Sequence, residues 1–539
     1  MMMQRAIVIM KKIFRKLISS GIWVQPFFLI AILIFIHINK LDYWLDVRQN
    51  WSLIITVSFI PVVYMWLDDL GSPTEKRAFK GKEKSQYPKV NKAMLSDKPK
   101  GVIFGKDVNT NKYVVKDEKA DGNVMILGGT GSGKSSCFIL DYLVQKDKKA
   151  ACFVIDIKGE LSFKSTMYGD SKIHMFNPQD RYSYGYNPFY MLNEDSNNQK
   201  ILECMQLIAF SLIPMPANIT DPFWKNSARN LLTGFLIYFY NQGFTNFISI
   251  IDEILSKPIQ VTIQKIVETA NPTSAEYRYI IQFSGMAEET LGGIQSEVIN
   301  HILLFSNDAD IRYAMRDNPN KVNPLMLNNE ESIYLVLKEE KLSAYYDLLQ
   351  LVVNQVLAMV EQRDETKEEL NYIYVILDEF ARLVSQGKLA KIYESIKTMR
   401  SKNTRLVMVS QSIDALLVSY SEPETNDILS NCSYIVVLQA TTSKTQKQIV
   451  EWCGKFKERK TSWNGEGKSR KASVSYNEQA IISESDLMTL TGTGDAILIS
   501  PYGYNRVKKV PYYKDKYLAP LSKECVEYNK KYLNDKENM

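Results

Sequence analysis

Histidine is almost missing from this chain: His37, His174 and His301 are the three in 539 residues. Cysteine is scarce too, with six residues (Cys137, Cys152, Cys204, Cys432, Cys453 and Cys525), none in a C-x-x-C pair or at zinc-finger spacing. Zinc sites draw their ligands from these two residue types at short intervals, so no zinc centre is expected. Thiols scattered in this way suit a reducing cytoplasm rather than a disulfide-stapled secreted domain. Strong charge of one sign is missing as well: 66 Lys and Arg face 60 Asp and Glu, a net of +6. The molecule as a whole is therefore no glue for polyanions, and any such contact falls to local patches. What the chain does have is 45% apolar content over 539 residues, room for more than one globular domain.

The most informative stretch is Gly128-Gly129-Thr130-Gly131-Ser132-Gly133-Lys134-Ser135-Ser136, entered by the apolar run Val124 to Leu127. It fits G-x-x-x-x-G-K-[ST], with Gly128, Gly133, Lys134 and Ser135 at the defining places. Glycines let successive backbone N–H groups turn inward around a phosphate chain. Lys134 reaches the β- and γ-phosphates, and the Ser135 hydroxyl is placed for Mg²⁺. A buried strand running in and a helix running out over Ser136 to Leu143 supply the required context, with the positive helix end facing the phosphates. A merely flexible Gly/Ser loop does not account for Lys-Ser directly after the last glycine.

Upstream, two apolar runs, about Gly21 to Ile38 and Trp51 to Leu67, are each near bilayer-spanning length. Trp23, Tyr43, Trp44, Trp51 and Trp66 cluster toward their ends, and the flanks outside the pair are basic. This predicts a two-helix transmembrane hairpin over 1–70 with both ends cytoplasmic. The joining loop contains Asn39-Lys40-Leu41-Asp42, a chance match to a guanine-reading motif, because it precedes the phosphate loop and lies in another compartment. Residues 71–100 carry nine Lys/Arg against three Asp/Glu and read as a basic juxtamembrane linker under anionic lipid headgroups. A second basic excess, seven to two over Lys455 to Lys471, is either a phosphate-binding patch or a solvated loop.

Beyond the phosphate loop, Ala151 to Asp156 is a continuous apolar strand, so strand, helix and strand alternate as in a parallel sheet. From about Leu192 the apolar period becomes helical and stays so to about residue 324, which predicts an all-α insertion over 192–324. The sheet domain then comprises 101–191 and 325–539. Strand texture returns at Ser332 to Leu337. It recurs at Tyr372 to Leu377, which delivers Asp378 and Glu379 at its carboxyl end. Asp378 is expected to complete the Mg²⁺ shell with Ser135, and Glu379 to polarise an attacking water. The strand Arg405 to Gln411 brings Gln411 to the same edge, where an amide can sense the γ-phosphate or orient water; a simple capping role is the alternative.

In this order, two N-terminal spans, the phosphate loop, Asp156-Ile157-Lys158-Gly159-Glu160-Leu161, Tyr186-Asn187-Pro188-Phe189, Asp221-Pro222-Phe223-Trp224, Leu377-Asp378-Glu379-Phe380 and Ser410-Gln411-Ser412 resemble the type IV secretion coupling proteins, the membrane-anchored ATPases of bacterial conjugation. The likeness runs on to Gly494-Asp495-Ala496-Ile497-Leu498-Ile499 and the trailing Lys509, Tyr512 and Tyr513. It implies an α/β, RecA-like P-loop ATPase domain with an inserted all-α domain, ATP and Mg²⁺ as cofactors, and a homo-hexamer around a channel. It also implies single-stranded DNA with its attached relaxase, secretion-channel proteins and membrane lipid as partners, and a multi-pass place in the cell membrane with the bulk of the chain in the cytoplasm. From the family comes one further residue: an arginine given to the neighbouring subunit's γ-phosphate, best matched by Arg400, with Arg382 and Arg405 as surface and strand-edge competitors. The chain ends in a mixed Lys/Glu/Asn stretch, which leaves the helical insertion as the expected docking surface. A nucleotide-switched receptor or gate that does not pump DNA, and a chromosome-segregation translocase, are the alternatives to a transfer motor.

Overall fold

The computed structural model describes residues 88–537 apart from 216–218, 220, 367–369, 386 and 465–470. The expected membrane hairpin over 1–70 lies outside the described residues, among which no helix is long and apolar enough to cross a membrane. The chain divides into two compact units. Tyr87–Lys460 with Ser475–Met539 is the body considered below. The other unit, Met1–Gln86 with Thr461–Val474, contributes only the end of a two-stranded hairpin to the description.

In chain order the strands are β1 (Leu95–Ser96), β2 (Val102–Asp107), β3 (Tyr113–Lys116), β4 (Val124–Leu127), β5 (Ala151–Asp156), β6 (Ile173–Phe176), β7 (Gly185–Tyr186) and β8 (Lys321–Val322). They continue as β9 (Ser332–Val336), β10 (Ile373–Leu377), β11 (Thr404–Ser410), β12 (Tyr434–Val437), β13 (Lys455–Asn464), β14 (Lys471–Ala480), β15 (Asp495–Ser500) and β16 (Gly503–Lys508). Twelve of them form one sheet in the order β1-β3-β2-β16-β15-β12-β4-β11-β10-β5-β9-β6. From β12 to β6 every pairing is parallel. From β12 back to β1 every pairing is antiparallel. The parallel strands are almost wholly apolar and buried along their length, as strands covered on both faces must be.

Alternation along each strand sends its side chains to two different cores. Val124, Ile126, Cys152, Val154, Ile376 and Val407 join Phe138, Leu140 and Leu143 of the segment that follows the phosphate loop. Met125, Leu127, Phe153, Ile155, Val375 and Met408 face the other way. Their core continues without a break into the helical insertion through Leu231, Phe235, Ile251, Ile294 and Val298. The insertion thus packs on the sheet's second face rather than hanging from it by a linker.

Its main helices are Asn198–Leu212, Phe223–Asn241, Phe247–Leu255, Ile259–Thr269, Ala275–Ile280 and Glu288–Asn307. Side chains of Asn197, Asn246 and Ser274 cap three of their amino ends. The chain leaves and re-enters through β7 and β8, a short parallel pair joining Gly185 to Lys321 and Tyr186 to Val322. The Tyr186 hydroxyl donates to Gln355 Oε1 at 2.7 Å, and Gln355 Nε2 donates to the Pro188 carbonyl at 2.7 Å. Gln355 is fully buried on the helix Tyr346–Glu361. The Tyr-Asn-Pro-Phe motif is in this way the lock at the insertion's neck.

Two stretches differ from the sequence reading. The end of the segment expected to be a linker, 88–100, is folded: Val90 and Met94 are buried and Leu95–Ser96 pairs with β3. Its lysines mask an apolar pair that is sufficient to dock it. The second basic stretch, Lys455 to Lys471, is chiefly strand β13 and the start of β14. These two strands pair with each other as a separate two-stranded sheet.

Candidate nucleotide site

Strands β4, β11, β10 and β5 lie side by side and parallel, so Leu127, Ser410, Leu377 and Asp156 all finish at one edge of the sheet. One strand, β11, separates the strand that feeds the phosphate loop from the strand that ends in Asp378-Glu379. The Gly128 amide donates to the Ser410 carbonyl at 3.1 Å, which sets Gln411, exposed, at the mouth of the loop.

Within the loop Gly131 and Gly133 have φ of 75° and 96°, conformations that side-chain-bearing residues rarely adopt. They let the chain reverse so that the Ser132 amide reaches the Gly129 carbonyl at 3.2 Å. A π-type turn over Ser135–Ile139 follows, and a single turn of α-helix over Leu140–Leu143 continues it. Lys134 is buried, 7% exposed, whereas a glycine-rich surface turn suggests an outward lysine. Its ammonium donates to the carbonyls of Gly128 at 3.0 Å and Gly129 at 3.1 Å. Burial lowers its pKa, and the charges of Glu379 and Asp378 oppose the shift. The Ser132 hydroxyl is buried without a hydrogen-bond partner among the described residues, a polar orphan inside the cradle.

Ser135 Oγ donates to Asp378 Oδ2 at 3.3 Å. Burial and the adjacent Glu379 push the Asp378 carboxyl up to about 6, against the pull of Lys134. A hydroxyl and an undercompensated carboxylate side by side are a donor set for a small hard dication, and they fit Mg²⁺. Glu379 has φ of 56°, rare for a non-glycine residue, at the switch from β10 into the short helix Phe380–Leu383. Such a conformation costs about 1–3 kcal/mol and is found where a side chain must be aimed. Asp156 accepts from the Ser162 amide at 2.7 Å, so this carboxylate caps a helix instead of serving the site directly. Ser135, Asp378, Glu379, Gln411 and the buried Lys134 are thus gathered at one sheet edge.

Residues 74–536 match the model of the family described as type IV secretory system conjugative DNA transfer. The chain belongs to this family. Among its relatives, Protein VirD4 of Rhizobium radiobacter is 23% identical over 436 residues, covering 78% of this chain and 62% of the relative. Protein VirD4 of Agrobacterium fabrum is 23% identical over 440 residues, covering 79% and 64%. The match spans less than two thirds of the length of these relatives. Among solved structures, the plasmid coupling protein TrwB in complex with a non-hydrolysable ATP analogue superposes with a TM-score of 0.60 at 16% identity, covering 78% of this chain and 91% of that one. TrwBdeltaN70 with sulphate gives 0.61 over the same shares. The shared fold is the α/β one expected for a RecA-like domain.

As a member of the conjugative DNA transfer family, this chain separates one expected residue from the rest. Arg400 lies in the turns after the helix Ala390–Ser395, beyond the amino end of β11. The phosphate loop is at the carboxyl edge, about 20 Å away at the usual rise per residue of a strand. Arg400 therefore cannot serve the phosphate loop of its own subunit. Its side chain is 79% exposed and its Nε donates to Asp121 Oδ2 at 2.8 Å. Of the competitors, Arg405 lies at the amino end of β11, where its side chain is 1% exposed and pairs with Asp121 Oδ1 at 2.6 Å. Arg382 pairs with Glu339 at 2.6 Å.

Two further residues lie at the site without having been expected there. Gln439, two residues past the end of β12, packs its amide against Gly129 and donates to the Met488 carbonyl at 3.0 Å. A polar residue just past an apolar strand was the available signal, the same one that marks Gln411. Lys509, from the antiparallel end of the sheet, donates to the carbonyl of Ser132 at 3.2 Å. Only the long-range pairing of β16 brings it there, and no local pattern encodes that.

Proposed function

We propose that this chain is a membrane-anchored ATPase coupling protein, which recruits single-stranded DNA with its attached relaxase to a type IV secretion channel and drives its transfer by ATP hydrolysis. The observation that carries the reading is the meeting of Lys134, Ser135, Asp378 and Glu379 at one sheet edge in a chain whose residues 74–536 match the transfer family. Loop amides and Lys134 would hold the triphosphate, and Ser135 with Asp378 would hold Mg²⁺, which supplies charge neutralisation at the β- and γ-phosphates. Glu379 takes the proton of the attacking water and Gln411 orients that water. The complexes of TrwB with a non-hydrolysable ATP analogue and with ADP and Mg²⁺ support ATP as the nucleotide. Residues 1–70 form the two-span anchor, 71–100 the basic linker with its folded end, and 192–324 the insertion that docks substrate. The working assembly is a homo-hexamer in which Arg400 completes the neighbour's site, with the sheet domain in the cytoplasm.

The full chain in detergent, assayed for phosphate release with and without single-stranded DNA, tests the reading. Mg²⁺-dependent turnover stimulated by DNA is expected. Turnover indifferent to DNA favours the receptor or gate, and no turnover in either condition overturns the assignment.

A further inference from the structure

Three peptide groups form the turn of the phosphate loop ahead of Lys134, and two are fixed by the backbone itself. The Ser132 amide donates to Gly129, and the Gly133 carbonyl accepts from the Cys137 amide at 2.9 Å. The peptide between them, Ser132 to Gly133, is held by a side chain: Lys509 Nζ donates to the Ser132 carbonyl at 3.2 Å and to the Thr491 carbonyl at 3.4 Å. Lys509 is itself anchored, since its own amide donates to the Gly494 carbonyl at 2.9 Å. Its ammonium is half-buried, and Asp495, the carboxylate whose charge acts on it, is engaged by Arg506 at 2.7 Å.

In a trans peptide the carbonyl of one residue and the N–H of the next point to opposite sides. We propose that Lys509 is a positioning residue of the nucleotide site: by holding the Ser132 carbonyl outward it aims the Gly133 N–H into the phosphate cradle, and it adds a second cation behind the loop. Gly133 needs this support because, with φ of 96° and no side chain, nothing else at that position selects one orientation of the peptide. The ligand class is a nucleoside triphosphate, so the inference rests on the ATPase reading. The consequence is that phosphate binding at β4 depends on the strand added last to the sheet.

The test uses the full chain in detergent, with ATP turnover for KM and kcat and a non-hydrolysable ATP analogue for Kd. Replacing a hydrogen bond from a charged donor by an apolar contact predicts that Lys509→Met raises both KM and Kd about tenfold, leaving kcat within about twofold. Lys509→Arg keeps charge and donor and is expected to recover most of the loss. Lys509→Gln keeps a donor without charge and is expected to fall between. Wild-type Kd in Lys509→Met overturns the proposal, as does a fall in kcat at unchanged Kd. Weak binding in all three variants, matched by an equal loss of nucleotide-free thermal stability, also overturns it and leaves Lys509 a structural residue. A wild-type protein that binds no nucleotide removes the ATPase reading and this inference together. Wild-type binding with unaffected variants removes this inference alone.

Discussion

Asp378 and Glu379 are consecutive carboxylates at the end of β10, and their surroundings differ. Asp378 accepts from Ser135 and sits where burial and Glu379 hold its carboxyl up at about 6. Glu379 begins the following turn in a left-handed conformation that separates it from its neighbour. Glu379→Gln keeps the shape and leaves Ser135 and Asp378 in place, but loses the carboxylate proposed as the base. It is expected to bind ATP normally and hydrolyse it about 10²–10⁴-fold more slowly, the usual worth of a positioned base. Stopped-flow binding together with steady-state turnover decides this; unchanged kcat moves the base elsewhere. Asp378 makes a separate prediction through pH. Its folded pKa lies above the ordinary 3.8, so the fold favours the protonated form, and stability without metal falls as pH rises from about 4 through about 6. Mg²⁺ needs the ionised carboxylate, so its stabilising effect has the opposite slope. The rise in melting temperature on adding Mg²⁺ with ATP should be small at pH 5 and reach its full value by pH 7.5. A shift of the same size at both pH values would take Asp378 out of the metal shell.

Among elements, the neck of the insertion is the least forgiving. A Cβ built on Gly185 would lie 1.9 Å from the Ala314 carbonyl oxygen, a backbone atom that cannot swing aside. Gly185→Ala should open the β7–β8 pair and cost about 1–3 kcal/mol, the range of overpacked sites. Urea unfolding followed by fluorescence measures it, and a variant as stable as the parent would show that the pair is not a constraint. Nothing local announces this glycine, and that marks the boundary of what was legible. The parallel strands, the phosphate loop and the Asp-Glu strand end are short-range patterns, visible because burial on both faces demands continuous apolar runs. Between Asp378-Glu379 and β11 the described chain is helical only over Phe380–Leu383 and Ala390–Ser395, and turns carry it from there to β11. Lys509 and Tyr186 were visible as parts of the family resemblance, but their contacts with Ser132 and Gln355, like the place of Gln439, were not legible, because each depends on a pairing between segments far apart in sequence. The burial of Lys134 was not legible either, since exposure follows from what packs over the loop.

At the scale of the molecule, the sheet presents two chemically different edges. The carboxyl edge holds the phosphate loop, and the amino edge holds Asp121 with Arg405 buried on one of its oxygens and Arg400 exposed on the other. Arg405 fixes the carboxylate, and the carboxylate holds the guanidinium of Arg400 out in solvent, about 20 Å from the nucleotide site of its own chain. A ring in which one subunit's amino edge abuts the next subunit's carboxyl edge makes sense of both. An arginine supplied across such an interface is worth roughly 10³–10⁵ in kcat in other P-loop enzymes. Arg400→Ala should then bind ATP nearly as the parent does, turn it over poorly, and poison parental rings when mixed with them. Lys134→Ala should bind nucleotide poorly and be equally inactive alone. Mixed with Arg400→Ala it should regain part of the activity, because some interfaces then join an intact phosphate loop to an intact arginine. Turnover per subunit should also rise with protein concentration as rings assemble. Mixtures no more active than the two variants apart, or a rate per subunit that stays constant through dissociation to monomers, would remove the trans role. Arg400 would then be no more than one half of an exposed ion pair, worth little to stability.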